Sequence, residues 1–358
     1  MNEKKDRTAV LLLNHGAADS QPGVRVFLDN IFQDIDIIRL PGGTRFQGPF
    51  ARLLSKYRAP RVERLYEYMG GGSPLLSYMR AQADALRVRL NQPDGQFVGE
   101  VGEVGADGRG EEIEVFLGLR YYSPSIADGL GEAVKRKVRR VVVFPQYPQH
   151  SVTTVDSVLR QLARAVAQTP GADQLALSIV PAFGAEPAYV DLMAAKVREA
   201  IARAPTSARL LFTAHSVPMK FVDEGDVYPE TCQEQAALIA AKAGVNQFDL
   251  AYQSRSGPVE WLGPDLPAHV EKLLATGEKH FVLVPLSFVQ DHLETLVELD
   301  VQLAAGILRA GGSLTRVRTA NNAPEFADLC ATLVRRELAQ PLSGTSGTAQ
   351  IFGNLQVE

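Results

Sequence analysis

The chain has 358 residues, of which 46% are hydrophobic and 22% charged, as is typical of a globular protein. A formal net charge of −4 and a pI near 5.9 give no basic footprint, so we expect no nucleic-acid partner. No apolar run reaches the roughly 20 residues that a membrane-spanning helix needs. The first ten residues, MNEKKDRTAV, lack the apolar core of a signal peptide, so we expect a cytoplasmic protein.

Apolar runs that predict β-strands recur along the chain, and most are continuous rather than alternating. Continuous runs are typical of strands buried on both faces of a parallel sheet. The predicted strands are 9–14, 35–40, 115–119, 140–145, 176–182, 209–214, 249–253, 280–286 and 314–319. Helical periodicity predicts helices at 74–90, 125–137, 154–168, 187–204, 232–243, 266–276, 293–309 and 324–338.

This alternation predicts the α/β fold class, and nine strands fit two smaller parallel sheets better than one. We place the boundary between two domains, 1–170 and 171–321, at a loop around Gly171. The last helix, within 322–340, is expected to pack back on the first domain. The segment 95–112 is rich in glycine and acidic residues and predicts an exposed insertion, and the polar tail 341–358 predicts disorder.

Polar residues collect where the predicted strands end, and in open α/β sheets ligands bind beyond those ends. Four of the six histidines, His15, His150, His215 and His292, occupy such positions. A single histidine there is more often structural than catalytic. Four histidines, together with carboxylates, Arg120 and tyrosines, instead indicate a cleft that handles protons or a cation and holds an anionic substrate.

The segment after the predicted strand 280–286 carries a row of acidic residues. Asp291, Glu294 and Glu298 have the i, i+3, i+7 spacing that places side chains on one face of a helix. A solvated helix face would show the same spacing. The histidine at the neighbouring strand end, His215, favours cation binding or proton transfer instead, because imidazole and carboxylate serve both purposes.

Three other features have structural explanations at least as good as functional ones. The run GGGSP at 70–74 could offer backbone N–H groups to an anion, but a tight turn before a helix explains it equally well. Ser216 follows His215 without a GxSxG motif, which argues against a serine hydrolase. Cys232 and Cys330 are too few to hold an iron–sulfur cluster, and we assign neither a role.

Eight motifs, in order along the chain, resemble those of the ferrochelatases, enzymes that insert ferrous iron into a porphyrin. They are GGGSPL at 70–75, LGLRYYSPSI at 117–126, FPQYPQHSVTT at 144–154, LLFTAHSVP at 210–218, EGDVYPE at 224–230, YQSRSGPVEWLGP at 252–264, PLSFVQDHLETLVELD at 285–300 and NNAPEF at 321–326. The resemblance implies two Rossmann-like domains, each a parallel sheet flanked by helices, with the porphyrin in the cleft between them.

The resemblance also implies roles for individual residues. His215 and Glu294 would be catalytic, facing each other over the macrocycle and meeting the iron. Contacts with the substrate or the cleft wall are implied for His15, Ser73, Arg120, Tyr121, Ser157 and Trp261. A relay for protons or metal would consist of Asp291, His292 and Glu298.

The implied partners are a porphyrin and Fe²⁺, both as substrates, with no cofactor and no iron–sulfur cluster. Peripheral membrane contact is compatible with the resemblance, and the protein would be a monomer or a homodimer. Two other functions remain open: a cobalt- or nickel-inserting chelatase of the same fold, and a non-catalytic haem carrier. A carrier would not need a base such as His215 beside Glu294.

Three positions depart from the family pattern. His15 lies in the motif NHG, where relatives that act on coproporphyrin III carry tyrosine. It could therefore ligate iron, and it leaves open whether the substrate is protoporphyrin IX or coproporphyrin III. Gln302 stands where the acidic row continues in many relatives, and Asp156 replaces the glycine before Ser157, which weakens the implied propionate contact.

Overall fold

The computed structural model describes residues 7–38, 43–92 and 112–340. Eight strands lie in these residues: Arg7–Asn14 (β1), Glu114–Leu119 (β2), Val138–Pro145 (β3), Ala176–Ile179 (β4), Arg209–His215 (β5), Asp249–Gln253 (β6), His280–Pro285 (β7) and Ser313–Arg316 (β8). They form two four-stranded sheets, ordered β2-β1-β3-β4 and β6-β5-β7-β8, and every pairing is parallel. The predicted fold of two parallel α/β sheets is confirmed.

Helices flank both sheets. They are α1 (Gln21–Gln33), α2 (Thr44–Glu67), α3 (Leu75–Asn91), α4 (Ile126–Lys135), α5 (Ser157–Gln168), α6 (Pro187–Arg203), α7 (Met219–Asp223), α8 (Tyr228–Ala243), α9 (Leu266–Ala275), α10 (Leu293–Leu296), α11 (Ala304–Arg309) and α12 (Pro324–Leu338). Two π-helical turns, Val152–Asp156 and Glu298–Leu303, adjoin α5 and α11. No helix in the described ranges is both long and apolar enough to cross a membrane.

The hydrophobic core holds the two sheets together. One continuous cluster of buried side chains covers one face of each sheet and includes residues of α3, α6, α8 and α12. Separate clusters cover the opposite faces, under α4 and α5 for the first sheet and under α9 and α11 for the second. Each fully buried Leu, Val or Phe side chain stabilises the fold by about 1.5–3 kcal/mol, so this shared cluster fixes how the strand ends of both sheets face each other.

The two sheets share one strand order, and this order determines where a ligand site can form. In each sheet the first strand lies between the second and the third, so the chain leaves it in one direction and later returns on the other side. A crevice opens at such a switch point, beyond the carboxyl ends of the strands. The ends of β1 and β3 form one crevice, and the ends of β5 and β7 form the other.

The region between β1 and β2 differs from the sequence prediction. The strand predicted at 35–40 is wrong, because residues 35–37 form a turn; residues 39 and 40 lie outside the described residues. The helices α1 and α2, which flank this turn, were not predicted. Two prolines inside α2, Pro49 and Pro60, obscure its pattern, because proline usually ends a helix.

One predicted boundary also differs from the structure, and the last helix packs more broadly than predicted. The strand β4 pairs with β3, so the change from the first sheet to the second lies after Ile179 and not at Gly171. The helix α12 packs on α3 and β3 of the first sheet's layer and also on α6. The predicted insertion 95–112, apart from Glu112, and the predicted tail 341–358 lie outside the described residues.

Candidate active site

A cleft of about 1090 Å³, counting its open part, lies where the two crevices meet. Apolar side chains make up much of the wall: Phe27, Ile31, Ile37, Leu75, Val217, Pro218, Trp261, Phe288 and Val289. Four groups that bind protons or metals line the same space: His15, His215, His292 and Glu294.

His15 and His215 occupy equivalent places, at the ends of the central strands β1 and β5. His15 directly follows β1, and the next residue, Gly16, has a φ of +84° and would bring a Cβ within 3.1 Å of Leu119. Glycine is therefore required for the chain to turn away at once. The turn leaves His15 at the strand end, facing the cleft.

His215 is held by the backbone around it. Its ring nitrogen Nδ1 lies 2.6 Å from the carbonyl oxygen of Ser216, so Nδ1–H donates and Nε2 is left as the free nitrogen. The hydroxyl of Tyr228 donates to the carbonyl of His215 at 3.0 Å and contacts Ser287 Oγ at 2.6 Å. Ser287 Oγ also accepts the His215 backbone N–H at 3.0 Å. These bonds fix the imidazole with one basic nitrogen available.

His292 lies deeper and adjoins both His15 and Glu294. Its Nδ1 donates to the carbonyl of Gln290 at 3.0 Å, and its ring centroid lies 5.4 Å from that of His15. Its Nε2 lies 3.1 Å from Glu294 Oε2, but the angle does not make a hydrogen bond, and this buried nitrogen has no other partner among the described residues. Phe288 packs edge-on against the ring at 4.6 Å between centroids.

Burial and the neighbouring side chains shift the pKa values of His15 and Glu294. Burial, reinforced by His292 and His215, lowers the pKa of His15 to about 3, so this imidazole is neutral at pH 7. Burial acts to raise the pKa of Glu294, but His292, His15 and His215 outweigh it and the pKa is lowered. The cleft therefore contains a carboxylate that stays ionised beside at least one neutral imidazole.

The predicted acidic stripe is wrong as a single helical face, because its three residues lie in three different environments. Asp291 precedes α10 and is buried, bound to Arg316 at 2.8 Å and to Asn321 at 2.8 Å. Glu294 lines the cleft from α10. Glu298 begins the π-helical turn, accepts from Ser254 Oγ at 2.5 Å and lines a second groove between α9 and α11.

Glu294 and Glu298 differ in acidity although both are largely buried. Burial and the charge of Glu294 raise the pKa of Glu298, whereas the histidines lower that of Glu294. Gln253 bridges the two residues, donating to the backbone carbonyl of Glu294 at 2.8 Å and to Glu298 Oε2 at 3.2 Å. The pair connects the cleft to the second groove.

Arg120 and Tyr121 do not line the cleft. The guanidinium of Arg120 is bound by Asp34 at 2.7 Å, by Asp36 at 2.9 Å and by the carbonyl of Ser157, with only 3% of its side chain exposed. The hydroxyl of Tyr121 donates to Asp34. Every guanidinium nitrogen of Arg120 is bound in this network, and none of Arg120, Tyr121 and Ser157 lines the cleft, so the geometry does not support their implied contacts with an anionic substrate.

The remaining predicted residues are structural in this geometry or form part of the wall. Ser73 is buried, its N–H donates to the carbonyl of Ala18 at 2.9 Å and its Oγ accepts from Leu75. This supports a turn at 70–74 and not an anion cradle. Trp261 lines the cleft, and its Nε1 has no hydrogen-bond partner among the described residues.

Several cleft residues were not predicted. Phe288 and Tyr228 position the histidines, and Phe27 and Ile31 of α1 form one wall. Phe288 follows β7 within three residues, so the strand-end rule could have found it. Apolar residues of α1 recur at helical spacing, which could have predicted this helix, but only the strand at 35–40 was predicted in this region. Among the described residues, no group of three or more His, Cys, Asp or Glu side chains is arranged to hold a metal ion.

Comparisons with known proteins agree on the family. The ferrochelatase family model matches residues 7–338. The ferrochelatase of Geotalea uraniireducens is 36% identical to this chain, and the match covers 93% of this chain and 99% of the relative. The ferrochelatase of Geobacter metallireducens is 37% identical, with 92% of this chain and 98% of the relative covered. The ferrochelatase of Synechocystis sp. is 36% identical, with 94% of this chain and 84% of the relative covered. A solved sirohydrochlorin chelatase of Bacillus subtilis covers 98% of this chain at 11% identity, but its TM-score of 0.49 is too low for a structural argument. The chain belongs to the ferrochelatase family.

Proposed function

We propose that the protein inserts Fe²⁺ into a free-base porphyrin, protoporphyrin IX or coproporphyrin III, and releases two protons. Family membership supports the coarser statement that it is a metal-chelating enzyme of haem biosynthesis. The more specific proposal, insertion of Fe²⁺ into a porphyrin, rests on one observation. His215, whose Nε2 is free, and the ionised carboxylate of Glu294 line the same apolar cleft.

The chemistry requires these groups. A free-base porphyrin carries two pyrrole N–H protons, and both must leave before four nitrogens can bind Fe²⁺. A neutral imidazole with an ordinary pKa near about 6.5 accepts a proton at pH 7. The apolar wall suits the flat face of the macrocycle and excludes water from the proton transfer. We propose that His215 takes the pyrrole protons and that Glu294 assists.

The two glutamates provide a route for the protons. Glu294 remains ionised and can stabilise a protonated imidazole or an approaching cation, while Glu298, with its raised pKa, accepts and passes on a proton more readily. We propose that protons travel from His215 past Glu294 to Glu298 and the second groove. His292 takes part through its contact with Glu294. The ion pair of Asp291 with Arg316 gives that residue a structural role instead.

We propose that the remaining predicted residues act on the shape of the cleft. Trp261 forms part of the wall, and His15 lies beneath the macrocycle, where a neutral imidazole is a suitable ligand for iron. Arg120, Tyr121, Ser157 and Ser73 support the wall from behind. No resident cofactor takes part in this scheme, in which Fe²⁺ is a substrate.

Peripheral membrane contact is part of the proposal and rests on the exposed face of α2. Phe46, Phe50, Leu53 and Tyr57, separated by three or four residues, lie on one face and are 43–84% exposed. Basic residues flank them, namely Arg45, Arg52, Lys56 and Arg61, and the first acidic residue of the helix is Glu63. Aromatic side chains beside basic ones are typical of helices that lie on an anionic lipid surface.

Anaerobic metalation assays test the function. Fe²⁺, Co²⁺ and Ni²⁺ are each offered with protoporphyrin IX and with coproporphyrin III, and metalloporphyrin is followed by absorption while an indicator reports protons. We expect fastest turnover with Fe²⁺ and two protons per metalated ring. Faster turnover with Co²⁺ or Ni²⁺ would identify the other chelatase class, and haem binding without turnover would identify a carrier.

A further inference from the structure

Four side-chain amides lie buried at the junction of the two sheets. Asn14 ends β1, Gln146 follows β3, Gln290 follows β7 and Gln82 projects from α3; each is at most 3% exposed. The proposed chemistry uses none of them as acid, base or ligand. Burying an amide without a hydrogen-bond partner costs about 1–3 kcal/mol, so a cluster of four at one point requires a reason.

The amides bind one another in a closed network. Gln290 is its centre: its Nε2 donates to Gln146 Oε1 at 2.6 Å and to Gln82 Oε1 at 2.8 Å, and its Oε1 accepts from Asn14 Nδ2 at 3.1 Å. Gln146 Nε2 donates to Gln82 Oε1 at 2.9 Å. Gln82 Nε2 donates to the carbonyl of Asn321, whose side chain holds Asp291. The network thereby connects the first sheet to the loop that follows the second sheet's third strand.

Two members of the network are connected directly to the cleft histidines. Asn14 is adjacent to His15 in the chain, and its Oδ1 accepts the Gly16 N–H at 3.2 Å, across the turn that carries the histidine. Gln290 accepts the Nδ1–H of His292 at its own carbonyl, 3.0 Å away. One hydrogen bond, from Asn14 to Gln290, therefore connects the supports of two imidazoles that lie 5.4 Å apart but come from different sheets.

We propose that this amide network is a positioning device that sets the spacing and orientation of His15 and His292 in the cleft, with Gln290 as its key residue. Hydrogen bonds between amides are directional, so each amide fixes the next. Amides are also neutral, so the network positions the histidines without adding a charge that would shift Glu294 or its neighbours. The inference rests on the proposed function for its kinetic consequence, but the geometry that it predicts does not.

The test compares Gln290→Leu, which keeps the side-chain volume and removes the amide, with the wild type. We expect kcat to fall by about tenfold, because a displaced His292 shifts Glu294 beside it and small misplacements of catalytic groups have large effects on rate, while KM for the porphyrin stays within about twofold. Gln290→Asn, which keeps an amide, should recover part of the rate.

Leu86→Ala is the matched control, because it destabilises the same core from α3 and leaves all four amides in place. It should lower the melting temperature and leave kcat unchanged. Should Gln290→Leu not fold, Gln146→Leu removes the 2.6 Å bond from the opposite sheet and is measured instead. An unchanged kcat in the folded amide variant, or an equal loss in Leu86→Ala, overturns the proposal. A wild type that does not metalate any porphyrin overturns the proposed function instead, and a crystal structure of the variant then tests the ring spacing by itself.

Discussion

At the scale of single residues, the cleft histidines differ in which ring nitrogen remains free. His215 and His292 each donate Nδ1–H to a backbone carbonyl, which leaves Nε2 as the basic atom. His292 Nε2 lies 3.1 Å from Glu294, whereas among the described residues no carboxylate forms an ion pair with His215. His215 is therefore better placed to accept a proton from a substrate. His292 is better placed to lower the pKa of Glu294.

Replacing the proposed base gives the first prediction at this scale. His215→Ala should lower the metalation rate by at least about 100-fold, because general-base catalysis contributes on that order, while porphyrin still binds to the intact apolar wall. Turnover is measured with Fe²⁺, and binding by quenching of porphyrin fluorescence. His280→Ala is the control, because His280 begins β7 at the opposite end of the same sheet. Near-normal turnover in His215→Ala would exclude the proposed mechanism.

His15 gives a prediction with a spectroscopic measurement. Because burial keeps its imidazole neutral, its lone pair is available to iron in the product. His15→Leu should change the metalation rate by less than about threefold but shift the Soret band of bound haem, since one axial nitrogen ligand is lost. An identical spectrum in the two proteins would show that His15 only packs against the macrocycle.

At the scale of elements, local geometry separates residues that the sequence places in one row. The π-helical turn at Glu298–Leu303 widens the helix just after α10, and Asp291 precedes α10 altogether. An i, i+3, i+7 row is continuous only on a regular α-helix. Glu294 therefore lines the cleft, Glu298 lines the second groove, and Asp291 forms an ion pair with Arg316.

The element α2 gives a prediction about lipid. The wild type should co-sediment with phosphatidylglycerol vesicles and much less with phosphatidylcholine vesicles, because its basic residues attract an anionic surface and its aromatic residues enter it. The double variant Phe50→Glu, Leu53→Glu should lose most of this binding. Leu308→Glu is the control, since Leu308 is a 71% exposed apolar residue on α11. Equal binding to both lipids, or none, would contradict the proposed contact.

At the scale of the whole molecule, ion pairs connect segments that are far apart in the chain. Asp36, which follows α1, pairs with Arg120 after β2 and with Arg164 on α5. Burial acts to raise the pKa of Asp36, but Arg164 and Arg120 outweigh it and lower the pKa from 3.8 to about 2. A carboxylate with a lowered pKa stabilises the fold above its unfolded pKa, and this contribution is lost as the pH falls towards the folded value. The stabilisation by Asp36 is thus complete near neutral pH and disappears between about pH 4 and pH 2.

Unfolding experiments test this contribution. Asp36→Asn should lower the free energy of unfolding by about 2 kcal/mol at pH 7 and by about half as much at pH 3, because the asparagine cannot ionise. Urea denaturation at the two pH values gives both numbers. Asp84→Asn, which removes an exposed ion pair with Arg87, should change stability by less than about 1 kcal/mol. An equal loss at both pH values in Asp36→Asn would show that the effect is packing and not charge.

The sequence by itself determined the α/β class, all eight strands to within three residues at each end and the histidines at the strand ends, because buried parallel strands leave a local hydrophobic pattern. Eight motifs were enough to identify the family. The strands β4 and β8 each end three residues earlier than predicted, at Ile179 and at Arg316.

Only the tertiary structure decided which of these groups meet. Arg120 binds Asp34 from 86 residues away, and Asn14 binds Gln290 from 276 residues away. Asp291 does not line the cleft with Glu294, because it forms a buried ion pair with Arg316 at the end of β8. The packing of the two sheets and their helices determines these partners. The periodicity of apolar residues cannot predict them, because it depends only on residues that are close in sequence. The chemistry of the cleft was therefore readable from local sequence, whereas the arrangement that sets its acidities came from contacts between distant parts of the chain.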